Sequence, residues 1–495
     1  MLDPERLAAR AREIARSTGH RLLLWAVPLA VVLLVVAVPN LPGRWNTDTA
    51  VMVEQMRAHS YDDIWAPFIT WLWQPFFALG FGAAWLMCAQ AVVLTLSIGM
   101  ILRRGGVSLR WARVWTVLLV LNPIIYAATI SVMRDTWFLC ALLTAIAIAM
   151  GPRTRAHGVQ FGIAAVLAVA SRQNAIAAVA VVIGWMFVRW WPHSVRWKHY
   201  ARAAVAALCA SAAIVVALSV WSAAVGVKSE HPETALFVGD LDEMSTRVGV
   251  NLMPADVVDP PLTMDEFRSS SIYALDTLWF YGRRASLRQP AAIHAEIRSA
   301  WRHAVVDHPV VYFHGRWKLF TRQIGWSGPP RIAYFPEYLG GPRSPVPVFP
   351  SWAARASGYL AHFTDDGWYG TGGWAHRAWL WWAASGALAA WWVARGRRRW
   401  HHDLVPMVFL AITAHLGALM FVAPHAQYRF VEAAIVLAQI ALVCGGWQWW
   451  SQRRNPVAET ATGSTIEAEA ATTATHEPAS PAMTPAATTS TTADD

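Results

Sequence analysis

The chain reads as an all-α, polytopic integral membrane protein with about ten transmembrane helices, and three observations predict it. Ten stretches are apolar and long enough, or nearly so, to cross a bilayer, which takes about 17–25 residues. Lys and Arg alternate from dense to sparse in the connections between those stretches, as the positive-inside rule demands of a multi-pass chain. The 30 Trp bunch at segment ends, as at Trp71 and Trp73, Trp190 and Trp191, Trp381 and Trp382, and Trp449 and Trp450. Indole rings favour that zone because the ring is buried while the N–H stays wet. A composition 56% hydrophobic and 15% charged excludes an ordinary soluble globule.

The expected spans are 21–39, 75–101, 111–132, 136–150, 157–171, 173–190, 203–225, 376–394, 404–423 and 429–449. One side of them carries Arg6, Arg10, Arg12, Arg16 and Arg21, the group Arg103 to Arg113, and Arg153 and Arg155. The same side carries Arg189, Arg196, Lys198 and Arg202, the run Arg395 to Arg399, and Arg453 and Arg454. The short loops of the other side hold only Arg44, Arg57, Arg134, Arg172 and Arg429. Both termini are therefore expected in the cytoplasm, with the chain in the cytoplasmic (inner) membrane. The net charge of +10 is taken up by these anchors, so a nucleic-acid partner is not expected. Basic residues 1–20 followed by an apolar run mimic a signal peptide, but Val38-Pro39-Asn40 offers no small-residue cleavage site, and 21–39 reads as the first span of a transmembrane region 21–225.

Three regions lie outside the spans. In the first external loop, 40–74, Asn46 or Thr47 can cap a helix beginning at Asp48, where the dipole favours a carboxylate. Tyr61-Asp62-Asp63 makes a turn, and Ile64 to Trp73 reads as an apolar interfacial segment ending before Pro75. The segment 226–375 forms an extracytoplasmic domain, α-rich with loops. Its part 226–289 is mixed and polar; from Pro290 to about Ile324, Ile293, Ile297, Trp301 and Val305 recur at helical steps, interrupted by Asp307-His308-Pro309. Residues 326–352 and 367–373 are rich in Gly, Pro and aromatics and read as ordered loops. The region 376–450 returns to the membrane, and the Ala/Thr/Pro-rich tail 451–495 cannot bury a core and is expected to be disordered. The four cysteines lie apart inside apolar segments, with neither disulfide nor zinc spacing.

This topology puts a small set of polar groups on one membrane face. They are Asp48 and Glu54 in the first loop, Arg134 and Asp135 between spans three and four, Arg172 and Asn174 between spans five and six, and Tyr428, Arg429 and Glu432 entering the last. Ionisable groups at such tight hinges must stay at the bilayer surface or point into a wet cavity. Three one-sided arginines near carboxylates suit a phosphate or pyrophosphate clamp, since a guanidinium offers paired N–H donors. Blander readings stand beside this one. Arg134-Asp135 is also a local ion pair, Arg172 a surface anchor, Arg429 and Glu432 an i,i+3 pair, and Asp48 a first-turn carboxylate. His308, His314 and His425 are too scattered to argue a metal site, and none is assigned.

Arg44-Trp45-Asn46-Thr47-Asp48-Thr49, Asn122-Pro123 and Met133-Arg134-Asp135-Thr136-Trp137-Phe138 resemble elements of the polytopic GT-C-fold glycosyltransferases, in a bacterial branch of that superfamily. Ser171-Arg172-Gln173-Asn174, Gly239 to Ser245, His308-Pro309-Val310-Val311-Tyr312 and Gln427-Tyr428-Arg429 follow in the expected order over about 20–450. Where the family often has a His-Pro-Pro step, this chain has Asp63-Ile64-Trp65-Ala66-Pro67, and Asp48 stands without an adjacent acidic partner. The resemblance implies a GT-C-like fold and an inverting transfer of sugar from a polyprenyl-phosphate donor. The acceptor would be an envelope glycan, lipid or protein at the outer face. Asp48 would be the general base and Arg134, Arg172 and Arg429 the phosphate-binding groups. Glu54, Asp135, Asn174, Tyr428 and Glu432 would support them. Participation of a divalent cation is left open. A lipid-linked glycan flippase or other transporter is the main rival, and a non-enzymatic envelope-assembly protein the next. Transporters place ionisable residues near the midplane, whereas here the apolar cores are almost free of charge.

Overall fold

Apolar sequence from Ala26 forms α1 (Ala26–Val32), which runs on through a π-helical turn (Leu33–Ala37) and a 3-10 turn (Val38–Asn40). The computed structural model describes residues 25–80, 82–191, 197–254, 263–265, 291–328, 345–365, 374–395, 403–424 and 426–454. The basic N-terminus 1–20, much of 255–289, the Gly/aromatic stretches 329–344 and 367–373, His425 and the tail from 455 lie outside them. Among the described residues the fold is all-helical, with only isolated bridges outside the helices.

The first loop holds α2 (Thr47–Ala58) and α3 (Pro67–Ala78). Pro75 lies inside α3 rather than opening the second span, and the helix ends at Ala78, just before Gly80 turns into the left-handed region (φ +82°). α4 (Gly82–Arg104) follows. The expected third span is broken: α5 (Leu109–Leu121) and α6 (Pro123–Ile130) meet at 72°. Asn122 caps α6 by accepting from Ile124 N–H at 3.1 Å, and Pro123 takes the first helical position, where no N–H is needed. Then come α7 (Arg134–Ala149), α8 (Arg155–Ser171), a 3-10 turn (Gln173–Ala175), α9 (Ile176–Trp190) and α10 (Trp197–Val225). After four further helices come α15 (Ala378–Ala394), α16 (Leu404–Val422) and α17 (Glu432–Arg454). α17 extends to Arg454, beyond the expected start of the tail.

Among the described residues, five helices are long and apolar enough to cross a membrane: α4, α9 with its 3-10 lead, α10, α16 and α17, or six spans if α5 and α6 count as one. α7, α8 and α15 have 16, 17 and 17 residues and fall short of that length. α10 shows why lipid is the solvent. Leu208 (67% exposed), Val216 (60%) and Val220 (64%) project from it without protein cover. A contiguous apolar surface of this kind is stable against acyl chains and not against water. α7 packs on α8 and α4, α9 on α10 and α16, and α15 on α16.

α11 (Glu233–Val248), α12 (Ala291–Asp307), α13 (Pro309–Gln323) and α14 (Pro350–Asp365) belong to the segment between α10 and α15. The sequence periodicity predicts α12 and α13, with the break at His308-Pro309, but not α11 or α14. α11 to α13 share a core of Val238, Leu241 and Met244 against Ile297, Ala304 and Tyr312. Each fully buried Val, Leu, Ile or Met among them contributes about 1.5–3 kcal/mol. Arg316, almost fully buried, donates to Asp240 at 2.6 Å and to the carbonyl of Ala423 at 2.7 Å, tying α13 to both α11 and the end of α16. Burial raises the Asp240 carboxyl above its ordinary range, against the pull of Arg316 and the Trp301 indole N–H.

Candidate functional site

Asp48 is placed by its neighbours in sequence. Asn46 caps α2 by accepting from the Thr49 N–H at 2.8 Å, which sets Asp48 in the first turn. The strand-like stretch before it runs parallel to the stretch before α7. Arg44 N–H donates to the Ile130 carbonyl at 2.9 Å, and Val132 N–H donates to the Arg44 carbonyl at 3.0 Å. Gly43 makes the approach possible: its φ is +104°, and a Cβ there would stand 2.7 Å from Val132 Cγ2. Thr49 Oγ1 also donates to the Val132 carbonyl. This register, between segments almost ninety residues apart, brings the first turns of α2 and α7 side by side.

Arg134 opens α7 and reaches Asp48 Oδ2 with Nη2 at 3.8 Å; it also donates to the Ile64 carbonyl and lies over the Trp65 ring. Arg429, in a 3-10 turn (Tyr428–Phe430) before α17, donates through Nη1 to the same Asp48 oxygen. That Nη1 stands 3.8 Å from Asp135 Oδ2, while Nε donates to Gln427 Oε1 at 2.6 Å. Asp135 in turn accepts from Arg172 Nε, and Arg172 lies over the Phe430 ring at 4.3 Å. The result is an alternating row, Arg134–Asp48–Arg429–Asp135–Arg172, contributed by four separate chain segments. It sits at one end of the helices, where α7, α9 and α17 begin and α8 and α16 finish.

The local pairings open at the level of sequence are thereby decided. Arg134 and Asp135 do not pair with each other; each turns to a partner from elsewhere, and Arg172, 8% exposed, is no surface anchor. Arg429 reaches Asp48 and Asp135. Glu432 is buried at the start of α17 with Oε1 unbonded, within electrostatic reach of Asp135 and Arg172. Glu54 is not brought in: it is exposed, about 120° around α2 from Asp48. Asn174 is half-buried in the turn after Arg172. Tyr428 is fully buried, its ring 5.0 Å from that of His376. The stretch Gly239 to Ser245 lies in α11 and serves the Asp240–Arg316 and Glu243–Lys318 pairs away from the row.

Sequence reasoning passed over Phe430, the ring under Arg172 and 5.4 Å from Arg429, and His415 of α16, which meets the Phe430 carbonyl at 2.9 Å. Their signal was adjacency to Arg429 for the first and a lone imidazole in an apolar span for the second. Among the described residues, no three His, Cys, Asp or Glu side chains converge as metal ligands.

No known protein family, curated protein or solved structure matches this chain. The chemistry of the row therefore has to be read from its own atoms. Burial pushes the Asp48 carboxyl up, but Arg429, Arg134 and Arg172 together outweigh it and hold it below the ordinary carboxylate range. Three guanidinium groups face the two carboxylates of the row in a largely buried setting, with Glu432 buried beside them. With Glu432 neutral the arginines exceed the carboxylates by one positive charge, which an anion carrying a single charge would balance.

Proposed function

We propose that this protein is an inverting, GT-C-like membrane glycosyltransferase, using a polyprenyl-phosphate sugar as donor and an envelope glycan, lipid or protein hydroxyl as acceptor. The observation that carries the reading is Asp48 seated between Arg134 and Arg429, with Arg172–Asp135 behind them. An acid flanked by guanidinium groups at the end of apolar helices suits a reaction in which a lipid phosphate leaves at a membrane surface. In this reading the chain spans the bilayer about ten times, both termini are cytoplasmic, and the row faces the outside of the inner membrane.

Arg134 and Arg429 would take the donor phosphodiester and so loosen their hold on Asp48. Its carboxylate regains basicity at the moment a donor is in place, a coupling that keeps the base masked in the empty site. The acceptor hydroxyl gives its proton to Asp48, its oxygen attacks the anomeric carbon, and the bond from that carbon to the phosphate oxygen breaks. The electron pair leaves with the polyprenyl phosphate, whose added charge is met by the arginines. An apolar cleft of about 410 Å3 between α9, α10 and α16, lined by Ala180, Gly184, Trp185, Ala207 and Met407, lies away from the row, toward the helix ends where α9 finishes and α10 and α16 begin.

The test is purified protein in detergent with a polyprenyl-phosphate sugar. Donor consumption is expected, falling about 10²–10⁴-fold in Asp48→Asn at normal protein levels. Wild-type rates in that variant remove Asp48 from the mechanism. A flippase would consume no donor and would need a sealed membrane to show activity.

A further inference from the structure

Glu432 is the one carboxyl of the site that the proposed chemistry leaves unused, and its setting is unusual. It is 6% exposed at the first position of α17, and Oε1 has no hydrogen-bond partner. Charged groups near it come from several elements. Asp135 of α7 and Arg172 at the α8–α9 hinge lie within electrostatic reach. Arg429 precedes it by three residues, and His415 of α16 stands within reach of the same Asp135–Arg172 pair. His415 Nδ1 and Asp135 Oδ2 also lack hydrogen bonds.

Charge counting gives this carboxyl a role. With Glu432 neutral, the three arginines exceed Asp48 and Asp135 by one positive charge; with Glu432 ionised, the empty site is balanced. Once a singly charged phosphodiester is bound, the order reverses: a neutral Glu432 balances the site, and an ionised one leaves an uncompensated buried negative charge. Uncompensated charge in a buried setting is costly, so the two occupancies favour opposite protonation states. We propose that Glu432 takes up one proton from water when the site binds a phosphodiester and returns it when the site empties. This linkage rests on the reading of the row as a phosphate site, and it makes donor binding weaken as pH rises. Only an O–H bond is made and broken.

The probe is farnesyl methyl phosphodiester, whose single charge does not titrate in the range used, added to the full chain in detergent. Calorimetry in two buffers of different ionisation enthalpy reads the protons taken up, and titrations from about pH 7 to 9.5 read the affinity. The expected result is an uptake rising toward one proton at alkaline pH, with affinity falling as much as tenfold per pH unit. Glu432→Gln should bind independently of pH, with the affinity of the wild type at the acid end. His415→Gln, which removes the buried imidazole near the same Asp135–Arg172 pair, should keep the slope. Binding without proton uptake, or a slope that persists in Glu432→Gln, overturns the linkage while leaving the phosphate site intact. Absence of binding at every pH overturns both.

Discussion

Arg172 and Asp135 are the most deeply placed members of the row, with side chains 7% and 3% exposed. A pair buried to that degree is worth little over an apolar replacement, yet removing one partner strands the other. Arg172→Met should therefore cost about 3–5 kcal/mol, while Arg172→Met with Asp135→Leu should recover most of it. Thermal unfolding of the two variants in detergent measures the difference; equal losses would show that the pair contributes no coupling. Asp48 behaves differently because its carboxyl is depressed by Arg429, Arg134 and Arg172 against burial. A depressed folded value means its stabilisation is present at neutral pH, above the unfolded value of about 3.9, and is lost as acid carries the pH through the folded value. The residue types of the row were legible in the sequence and so was their common end of the helices. The partners were not. Arg134 and Asp135 are adjacent in the chain, and only α7's first turn, which points successive side chains about 100° apart, sends one to Asp48 and the other to Arg172.

The elements that hold the row are the two-segment register at Arg44–Val132 and the clasp at Arg316. Arg316 joins three elements through Asp240 and the Ala423 carbonyl, the latter capping an otherwise open end of α16 just before the turn that carries Arg429. Arg316→Met should cost about 3–5 kcal/mol and free α13 from α16. Hydrogen exchange faster in both α11 and the 423–431 connection is the expected signature, and exchange confined to α13 would contradict it. α12 and α13 were readable because apolar residues recur at helical steps along one face. α11 was not, for a reason visible in its burial: Asp240, Asp242 and Glu243 are all buried, so charges that look solvent-facing in sequence lie inside. The break at Asn122-Pro123 was hidden for the opposite cause, since the residues on both sides of it are almost wholly apolar and hydropathy does not register a 72° turn.

For the whole molecule, the asymmetry of Lys and Arg makes the topology a firm expectation. A reporter fused or inserted near residue 60 should be active outside the cytoplasm, and one near Gly106 or after Arg454 inside it. A cytosolic signal from the residue-60 fusion would remove the row from the outer face and with it the proposed reaction. The short helix α7 bears on this expectation, since it packs on α4 and α8 and is almost wholly enclosed by protein. An enclosed helix need not match the bilayer thickness as a lipid-facing one does, so a helix of 16 residues can sit among longer neighbours.

Composition and charge order by themselves determined that this is a helical membrane protein, which ends of its helices share a side, and that Asp48, Arg134, Arg172 and Arg429 belong to that side. These properties depend on residue type and on spacing along one chain, and a bilayer reads both directly. Only the tertiary structure decided that Asp48 meets Arg134 and Arg429, that Asp135 belongs to Arg172, that Glu54 is excluded and that Glu432 is enclosed. Those outcomes depend on the angle at which each helix begins and on contacts between segments up to 381 residues apart, as at Arg429 and Asp48. Local patterns carry no information about either.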